Sequence, residues 1–287
     1  MTNTPRTTAK ELVARYDKGE RMFAFANLEG ANLEGVNLDG ANMRGAHLVG
    51  ANLNGASLRG GHLQRAYLVG AQLKGIDLTG SNLTGAYLRG ANLRDAYLRG
   101  VELRDAHLEL AYLVAAYLKG ANLRGAHIKD AHLERALLQG ANFRGAHLDG
   151  SHLEGALLQG ANLEEAQLEE AQLEDAHLDG VSLIKAMLQD ANLRGAYLEG
   201  AHLEGADLRG ADLEGAHLED AYLAGVLVEG ARFKGVYLEG ADLRGSDLQG
   251  IEPARLVTLD VFSRDLLAKE PQYKDFDYKA PAYARSA

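Results

Sequence analysis

The strongest constraint on this chain is an unbroken five-residue repeat that runs from residue 26 to residue 250. It contains 45 consecutive units without an insertion or a deletion, each centred on a position that we call i. Position i is Leu in 40 units and another apolar residue in the other five, position i−2 is Ala in 35, and position i+2 is Gly in 32. Two apolar positions and one turn position therefore recur in every unit.

Neither regular secondary structure accommodates this period. Five residues of an α-helix advance about 500°, so the Leu positions would spiral around the helix, and on a flat strand they would alternate between its two faces. A short extended segment followed by a turn in every unit returns each Leu to the inside, and Gly at i+2 suits a turn with positive φ. We therefore predict a solenoid, in which stacked repeats bury a continuous core.

The unit Ala-(Asn/Asp)-Leu-x-x, which begins with Ala26-Asn27-Leu28-Glu29-Gly30, resembles the repeat of the pentapeptide-repeat proteins over about four-fifths of the chain. The resemblance implies an all-β solenoid: a right-handed quadrilateral parallel β-helix with four units, or 20 residues, per coil. The 45 units would give about 11 coils, with short α-helical caps at the N- and C-termini. Positions i and i−2 would point inward, and the other three positions outward.

If residues 20 apart stack, one outward series at position i−1 is apolar or aromatic over eight coils. We call it the 97–237 column, and it is our candidate protein contact face, although aromatic stacking that merely stabilises neighbouring coils is an alternative. Its members are Tyr97, Tyr117, Leu137, Leu157, His177, Tyr197, His217 and Tyr237.

Two other series suggest structural ladders. His107, His127 and His147 stack beside His132 and His152 on the next side. Parallel rings one strand spacing apart do not converge as tetrahedral metal ligands must, so we predict no metal site and no cofactor. The series Asn82, Glu102, Asn122, Asn142 and Asn162 is expected to form an amide ladder.

Charge divides the repeat into two halves. Residues 26–145 carry 13 basic and 10 acidic side chains, whereas residues 146–250 carry 6 basic and 21 acidic ones, a net charge of −15. Gly is missing at i+2 in three successive units of the acidic half, so we expect their turns to differ in type. The candidate acidic patch comprises Glu164, Glu165, Glu169, Glu170, Glu174, Asp175 and Asp179.

The flanking segments are predicted to cap the solenoid. Thr8 and Glu11 have the spacing of a capping box, so we expect a short helix over about residues 8–18. After residue 250 a second helical pattern places Leu259, Phe262 and Leu266 on one side, as a C-terminal cap or, as in some family members, a homodimer contact. We favour the cap. The predicted domains are 1–25 (N-terminal tail and capping helix), 26–250 (β-helix) and 251–287 (C-terminal helix and tail).

Composition excludes several classes of protein. There is no Cys, no run of 18 apolar residues and no apolar segment behind the polar start, so we expect a cytoplasmic protein without a membrane partner. The formal net charge of −10 argues against direct nucleic-acid binding. Catalytic motifs are missing, and a core filled with Leu and Ala leaves no pocket, so we predict no enzyme activity.

Two functions remain open. The first is a non-catalytic structural or protein-interaction scaffold that contacts an unknown protein partner, as a monomer or as a homodimer through the C-terminal segment. The second follows from the resemblance, because the quinolone-resistance members of the family resemble DNA and bind DNA gyrase. The acidic half 146–250 would then make this chain a DNA-mimicking regulator of a DNA-binding enzyme such as gyrase. The alternative for the acidic half is a solvated surface that keeps the Leu-rich solenoid soluble and monomeric.

Overall fold

In the computed structural model, which describes residues 7–248, the repeat region forms stacked coils of 20 residues. Parallel bridges join every i−1 residue to the residue 20 positions later, from the pair Met22 and Asn42 to the pair Tyr222 and Asp242. Each coil therefore contains four bridged segments separated by four turns. The coarse prediction of a parallel β-helix with four units per coil agrees with this ladder.

The strands are shorter than those of an ordinary sheet. Each unit contributes one bridged residue, because the next residues of the unit form the turn. At a typical unit, the Leu28 amide donates to the carbonyl of His47 at 2.8 Å, and the His47 amide donates back to Ala26 at 2.9 Å. The ladder thus consists of isolated bridges that repeat every five residues along the chain.

We name the four sides of the coil by their bridged residues. Each side carries every twentieth residue from its first one. Side A begins at residue 22 and ends at 242, side B runs in the same steps from 27 to 227, side C from 32 to 232, and side D from 37 to 237. Side B is opposite side D, because the two are separated by half a coil. Position i+1 forms a second outward column on every side, and position i+2 forms the corner.

The Leu and Ala columns fill the interior. The position-i residues from Leu28 to Leu248 are at most 3% exposed, and the two aromatic exceptions, Phe143 and Phe233, are fully buried. The i−2 residues from Ala41 onward are buried as well, apart from Ser246, which is partly buried. A continuous apolar core therefore occupies the inside of the coils.

One helix, α1 (Ala9–Asp17), precedes the first coil within the described residues. The predicted capping box is present: the Glu11 amide donates to the Thr8 hydroxyl at 3.2 Å, and the Thr8 amide donates to the Glu11 carboxylate at 2.9 Å. Leu12 is fully buried in the core, and the Tyr16 hydroxyl donates to the carbonyl of Asp39 at 2.9 Å. These contacts fix α1 against the start of the solenoid.

The turns that lack Gly do not differ in type from the others, contrary to our prediction. Fourteen non-glycine residues among those described have positive φ, and all of them occupy the corner position. Glu165, Glu170 and Asp175 have φ of 58°, 58° and 54°, close to the 61–76° of the corner glycines of the repeat. The turns without Gly therefore keep the same left-handed conformation, because the stacked coils impose it at every corner.

The predicted C-terminal helix with Leu259, Phe262 and Leu266 lies outside the described residues, as does the tail 271–287. In residues 7–248, no helix is both long and apolar enough to cross a bilayer.

Candidate protein-contact face

Side D presents the 97–237 column as one straight series, because consecutive members are joined by the parallel bridges. Its four Tyr side chains are exposed: Tyr97 by 49%, Tyr117 by 41%, Tyr197 by 38% and Tyr237 by 53%. Leu137, Leu157, His177 and His217 between them are partly buried. The column is therefore a strip of apolar and aromatic side chains along one side of the solenoid, in which the Tyr residues are the exposed members.

Ring stacking orders this strip. The rings of Tyr97 and Tyr117 stack with centroids 5.0 Å apart and an interplanar angle of 9°. The series from His177 through Tyr197 and His217 to Tyr237 stacks at 4.7, 5.0 and 4.4 Å. Stacking between coils stabilises the solenoid itself, and it also holds the exposed ring edges in fixed positions, which lowers the entropic cost of contacting a partner.

Aromatic stacking is not confined to side D. On side B an unbroken stack runs from His47 through Tyr67, Tyr87, His107 and His127 to His147. Side B then changes to Gln167, Met187, Asp207 and Leu227, whereas side D stays apolar or aromatic to Tyr237. Side D is thus distinguished by the length of its strip.

A charged column that the sequence reasoning missed lies beside this strip. It occupies position i+1 of side D in the coils after Asp39, and we call it the 59–239 flank. Counting every 20 residues from Arg99 would have revealed it. In order it contains Arg59, Thr79, Arg99, Lys119, Gln139, Gln159, Asp179, Glu199, Glu219 and Glu239.

Most charges of the flank have no ionic partner within the described part of the chain. Arg99, Lys119, Asp179, Glu199 and Glu239 form no salt bridge there, and all but Asp179, which is half-buried, are exposed. By contrast, Arg59 lies 3.8 Å from Asp77, and Glu219 lies 3.3 Å from His217.

The seven residues of the candidate acidic patch are not brought to one surface. Glu164 and Glu165 belong to side A, Glu169 and Glu170 to side B, Glu174 and Asp175 to side C, and Asp179 to side D. They form a belt around one coil. Arg144 in the coil before lies 3.5 Å from Glu164 and 3.3 Å from Glu165, which neutralises part of this belt.

Arg144 also ends a short basic column on side A. Arg104, Arg124 and Arg144 occupy position i+1 of three successive coils and line a groove of about 350 Å³ with Asp105 and Glu165. Arg104 lies 3.3 Å from Glu102. Acidic side chains at both ends of the groove thus balance its arginines.

The histidine ladders are stacked as predicted, with ring centroids 4.8 Å apart between His107 and His127 and between His127 and His147. Burial, followed by the charges that His147 and His107 would carry, lowers the pKa of His127. No three His, Cys, Asp or Glu side chains within residues 7–248 are placed to hold a metal ion.

A contact between His and Glu side chains also recurs along the solenoid and was not predicted from the sequence. In five units the i−1 His lies 3.1–3.3 Å from the Glu at i+1 of the same unit. The pattern His-Leu-Glu is the sequence signal for it. These units contain His107 and Glu109, His132 and Glu134, His152 and Glu154, His202 and Glu204, and His217 and Glu219.

The predicted amide ladder on side A exists only in part. Asn122 donates from Nδ2 to the carboxylate of Glu102 at 2.9 Å. The side-chain oxygens of Asn122, Asn142 and Asn162 instead accept from backbone amides two residues further on, at 2.9–3.3 Å. A turn within each unit therefore competes with bonding between coils.

Comparison with known proteins agrees with the repeat. A family model described as pentapeptide repeats matches residues 23–60 and 62–250 in eight copies. HetL, a pentapeptide repeat protein from the cyanobacterium Nostoc sp. strain PCC 7120 that is involved in heterocyst differentiation regulation, is 33% identical. That match covers 85% of this chain and 96% of HetL, with a TM-score of 0.40.

Two further solved structures are more distant. Full-length QnrB1, a plasmid-mediated fluoroquinolone resistance protein, is 20% identical over 75% of this chain and 90% of its own, with a TM-score of 0.28. A pentapeptide repeat protein of the Arabidopsis thaliana thylakoid lumen is 21% identical over 50% of this chain and 69% of its own, with a TM-score of 0.20. A search of curated proteins gave no match.

Proposed function

This chain belongs to the pentapeptide-repeat family, and from that premise we propose that it is a non-catalytic protein-interaction module. Its working part is a right-handed quadrilateral β-helix of about 11 coils, the form that the family implies for 45 units. We assign residues 1–25 to the N-terminal tail and capping helix, 26–250 to the β-helix and 251–287 to the C-terminal helix and tail. We place the protein in the cytoplasm.

The 97–237 column carries this proposal. Seven strand spacings separate its first and last members, a length of roughly 34 Å. An exposed apolar strip of that length on a protein surface is characteristic of a site that contacts another protein. Tyr is well suited to such contacts, since it offers a large apolar surface, a hydroxyl group and few rotatable bonds.

The chemistry of the described residues favours contact over catalysis. The interior is occupied by side chains at most 3% exposed, which leaves the outward columns as the available surface. The groups with shifted pKa values are mostly surface carboxylates and arginines paired with each other, such as Asp207 with Arg209 and Asp242 with Arg244. Ion pairs of this kind lower the pKa of the carboxyl and do not prepare an acid or base for proton transfer.

The proposal is tested by replacing apolar and aromatic residues of the 97–237 column. Tyr117, Leu157 and Tyr197 become Ser, and the matched control replaces Tyr87, Met187 and Leu227 of the opposite side B by Ser. Both variants and the unaltered protein are immobilised and exposed to a lysate of the source organism. We expect the side D variant alone to lose its bound proteins, with an unchanged circular dichroism spectrum. Equal binding by both variants would remove the 97–237 column from the function.

A second candidate, DNA mimicry, is favoured by charge density. The net charge of −15 on residues 146–250 is spread over 5.25 coils, roughly 25 Å, which is about one charge per 1.7 Å and close to the axial charge density of B-DNA. The belt around one coil places negative charge on all four sides of the acidic half 146–250. A DNA-binding enzyme such as gyrase would then be inhibited by competition for its DNA site.

A gyrase supercoiling assay at two salt concentrations tests the second candidate. Inhibition that weakens steeply with salt would support mimicry, because charge contacts between exposed groups are screened. The test variant changes Glu164, Glu165, Glu169 and Glu170 to Gln, and the control, with the same change in charge, alters Glu29, Glu34, Glu102 and Glu109 to Gln. Mimicry predicts that inhibition is lost in the first variant only, and absence of inhibition by the unaltered protein would reject it.

For the C-terminal segment we propose the capping role of Leu259, Phe262 and Leu266 over the homodimer contact, because the last coil of a solenoid needs a cover.

A further inference from the structure

The charges of the 59–239 flank are segregated along side D. Arg99 and Lys119 are basic, Gln139 and Gln159 are neutral, and Asp179 and Glu199 are acidic. The same order extends outward to Arg59 at one end and Glu239 at the other. The equivalent column of side B mixes the signs, since its members from residue 89 to residue 209 are Arg, Glu, Lys, Asp, Glu, Gln and Arg.

This order is self-complementary about the point between Gln139 and Gln159. Lys119 and Asp179 are equally far from that point, and so are Arg99 and Glu199, and Arg59 and Glu239. Because every step of 20 residues advances one bridge of the ladder, equal separation in sequence means equal separation along the solenoid.

We propose that side D binds side D of a second copy of this chain, with the two solenoids antiparallel. A two-fold axis in the plane of the contact, perpendicular to both solenoids, reverses the direction of the second copy and keeps each column opposite the same column. Lys119 then faces Asp179 of the second copy, Arg99 faces Glu199, and each pair occurs twice, as in any isologous contact. This inference rests on the proposed function, because it names the partner of the same face.

The 97–237 column fits the same arrangement. The reversal places Tyr97 opposite Tyr197 of the second copy, Tyr117 opposite His177, and Leu137 opposite Leu157. The apolar strip thus meets an apolar strip at the centre, where the flank is neutral. Exposed edges of stacked rings on both copies give the contact its apolar area.

A parallel arrangement is disfavoured by the same charges. A two-fold axis along the solenoids reverses the order of the columns across the face, so the flanks and the 97–237 columns cannot both face their counterparts. An axis that runs along the flank places Arg99 opposite Arg99 and Glu199 opposite Glu199, and like charges in contact are repulsive. Charge and the order of the columns therefore both favour the antiparallel direction, in which the flanks and the apolar strips face their counterparts together.

The size of the contact predicts a weak dimer. Nine strand spacings separate residue 59 from residue 239, roughly 43 Å, and one side of the coil is about 10 Å wide. The two copies would together bury on the order of 1,000 Å², near the lower limit for a specific interface. We therefore expect a dissociation constant in the micromolar range that rises with salt.

Sedimentation velocity of the purified full chain tests the proposal, at protein concentrations from about 1 to 500 µM. Arg99→Glu and Glu199→Arg should each weaken the dimer about tenfold or more, because each creates two repulsive pairs. The double variant R99E/E199R restores opposite charges across the two-fold axis and should recover the dimer. Arg89→Glu and Glu169→Arg on side B make the same changes in net charge and should leave the dimer intact.

Loss of the dimer in each single variant, followed by recovery in the double variant, is the decisive result. In a parallel contact along the flank each position would face its own copy, so all of these variants would keep like charges opposite each other and the single variants would not weaken the dimer. A chain that is monomeric throughout the concentration range would overturn the proposal, and so would a dimer that none of the side D changes affects. Either result would leave the proposed function open. Sedimentation measures self-association of the purified protein, whereas the capture experiment with Tyr117, Leu157 and Tyr197 measures contact with other proteins.

Discussion

Glu169 and Glu170 are neighbouring exposed residues with the same charge, yet only Glu170 occupies a corner with φ of 58°. A left-handed conformation costs a side-chain-bearing residue roughly 1–2 kcal/mol, while Gly adds about 0.5–1 kcal/mol of unfolded-state entropy. We predict that Glu170→Gly raises the free energy of unfolding by about 0.5–1 kcal/mol. Glu169→Gly, with the same change in charge, should lower it by a similar amount. Urea denaturation measures both, and equal effects would show that the corner is not strained.

His127 makes the stability of the solenoid sensitive to acid. Its pKa in the folded protein lies below its ordinary value because the ring is partly buried and lies between His147 and His107. The unfolded chain therefore takes up this proton first, so stability is fully present above about pH 6.5 and is lost as pH falls toward the lowered pKa.

We predict that His127→Asn reduces the dependence of the melting temperature on pH between about 7 and 5. The same substitution at the exposed His62 of side A serves as the control. An unchanged slope in the His127 variant would assign the acid sensitivity to other groups.

At the level of elements, helix α1 covers the first coil with a single fully buried side chain, Leu12. Truncating a buried Leu to Ala costs about 2–5 kcal/mol, and in a solenoid this loss falls on the nearest coils. We predict that Leu12→Ala speeds hydrogen exchange at the amides of Leu28 and Leu33, which bond to the second coil, and leaves Leu138 unchanged. Lys10→Ala, on the exposed side of α1, is the control. Faster exchange at Leu138 as well would mean that the coils unfold together.

The capping box and the inward columns could be predicted from the sequence, since Thr8 and Glu11 have a diagnostic spacing and Leu recurs at every unit. The corner at Glu170 could not, because a side chain normally avoids positive φ and only the stacked coils impose it. The pairing of His107 with Glu109 was not predicted, although its signal was present, because positions i−1 and i+1 of one unit both point outward from the predicted extended segment.

At the scale of the molecule, each outward column is made by residues 20 apart, so the proposed contact face depends on register more than on composition. The chain offers a direct way to change register without changing the repeat. Removing residues 136–155 deletes one whole coil, and every later unit stays on its original side. Removing residues 136–145 deletes half a coil, so every later unit moves to the opposite side.

We predict that both deletions keep the fold, because each preserves the spacing of five that places Leu and Ala inside. Only the whole-coil deletion should retain self-association. In that variant Lys119 still faces Asp179 of the second copy and Arg99 still faces Glu199, with Gln159 at the two-fold axis. In the half-coil variant these acidic residues move to the side opposite Arg99, which separates the two halves of both columns. Circular dichroism and sedimentation velocity check fold and association, and equal association of the two variants would show that the 97–237 column does not act as one surface.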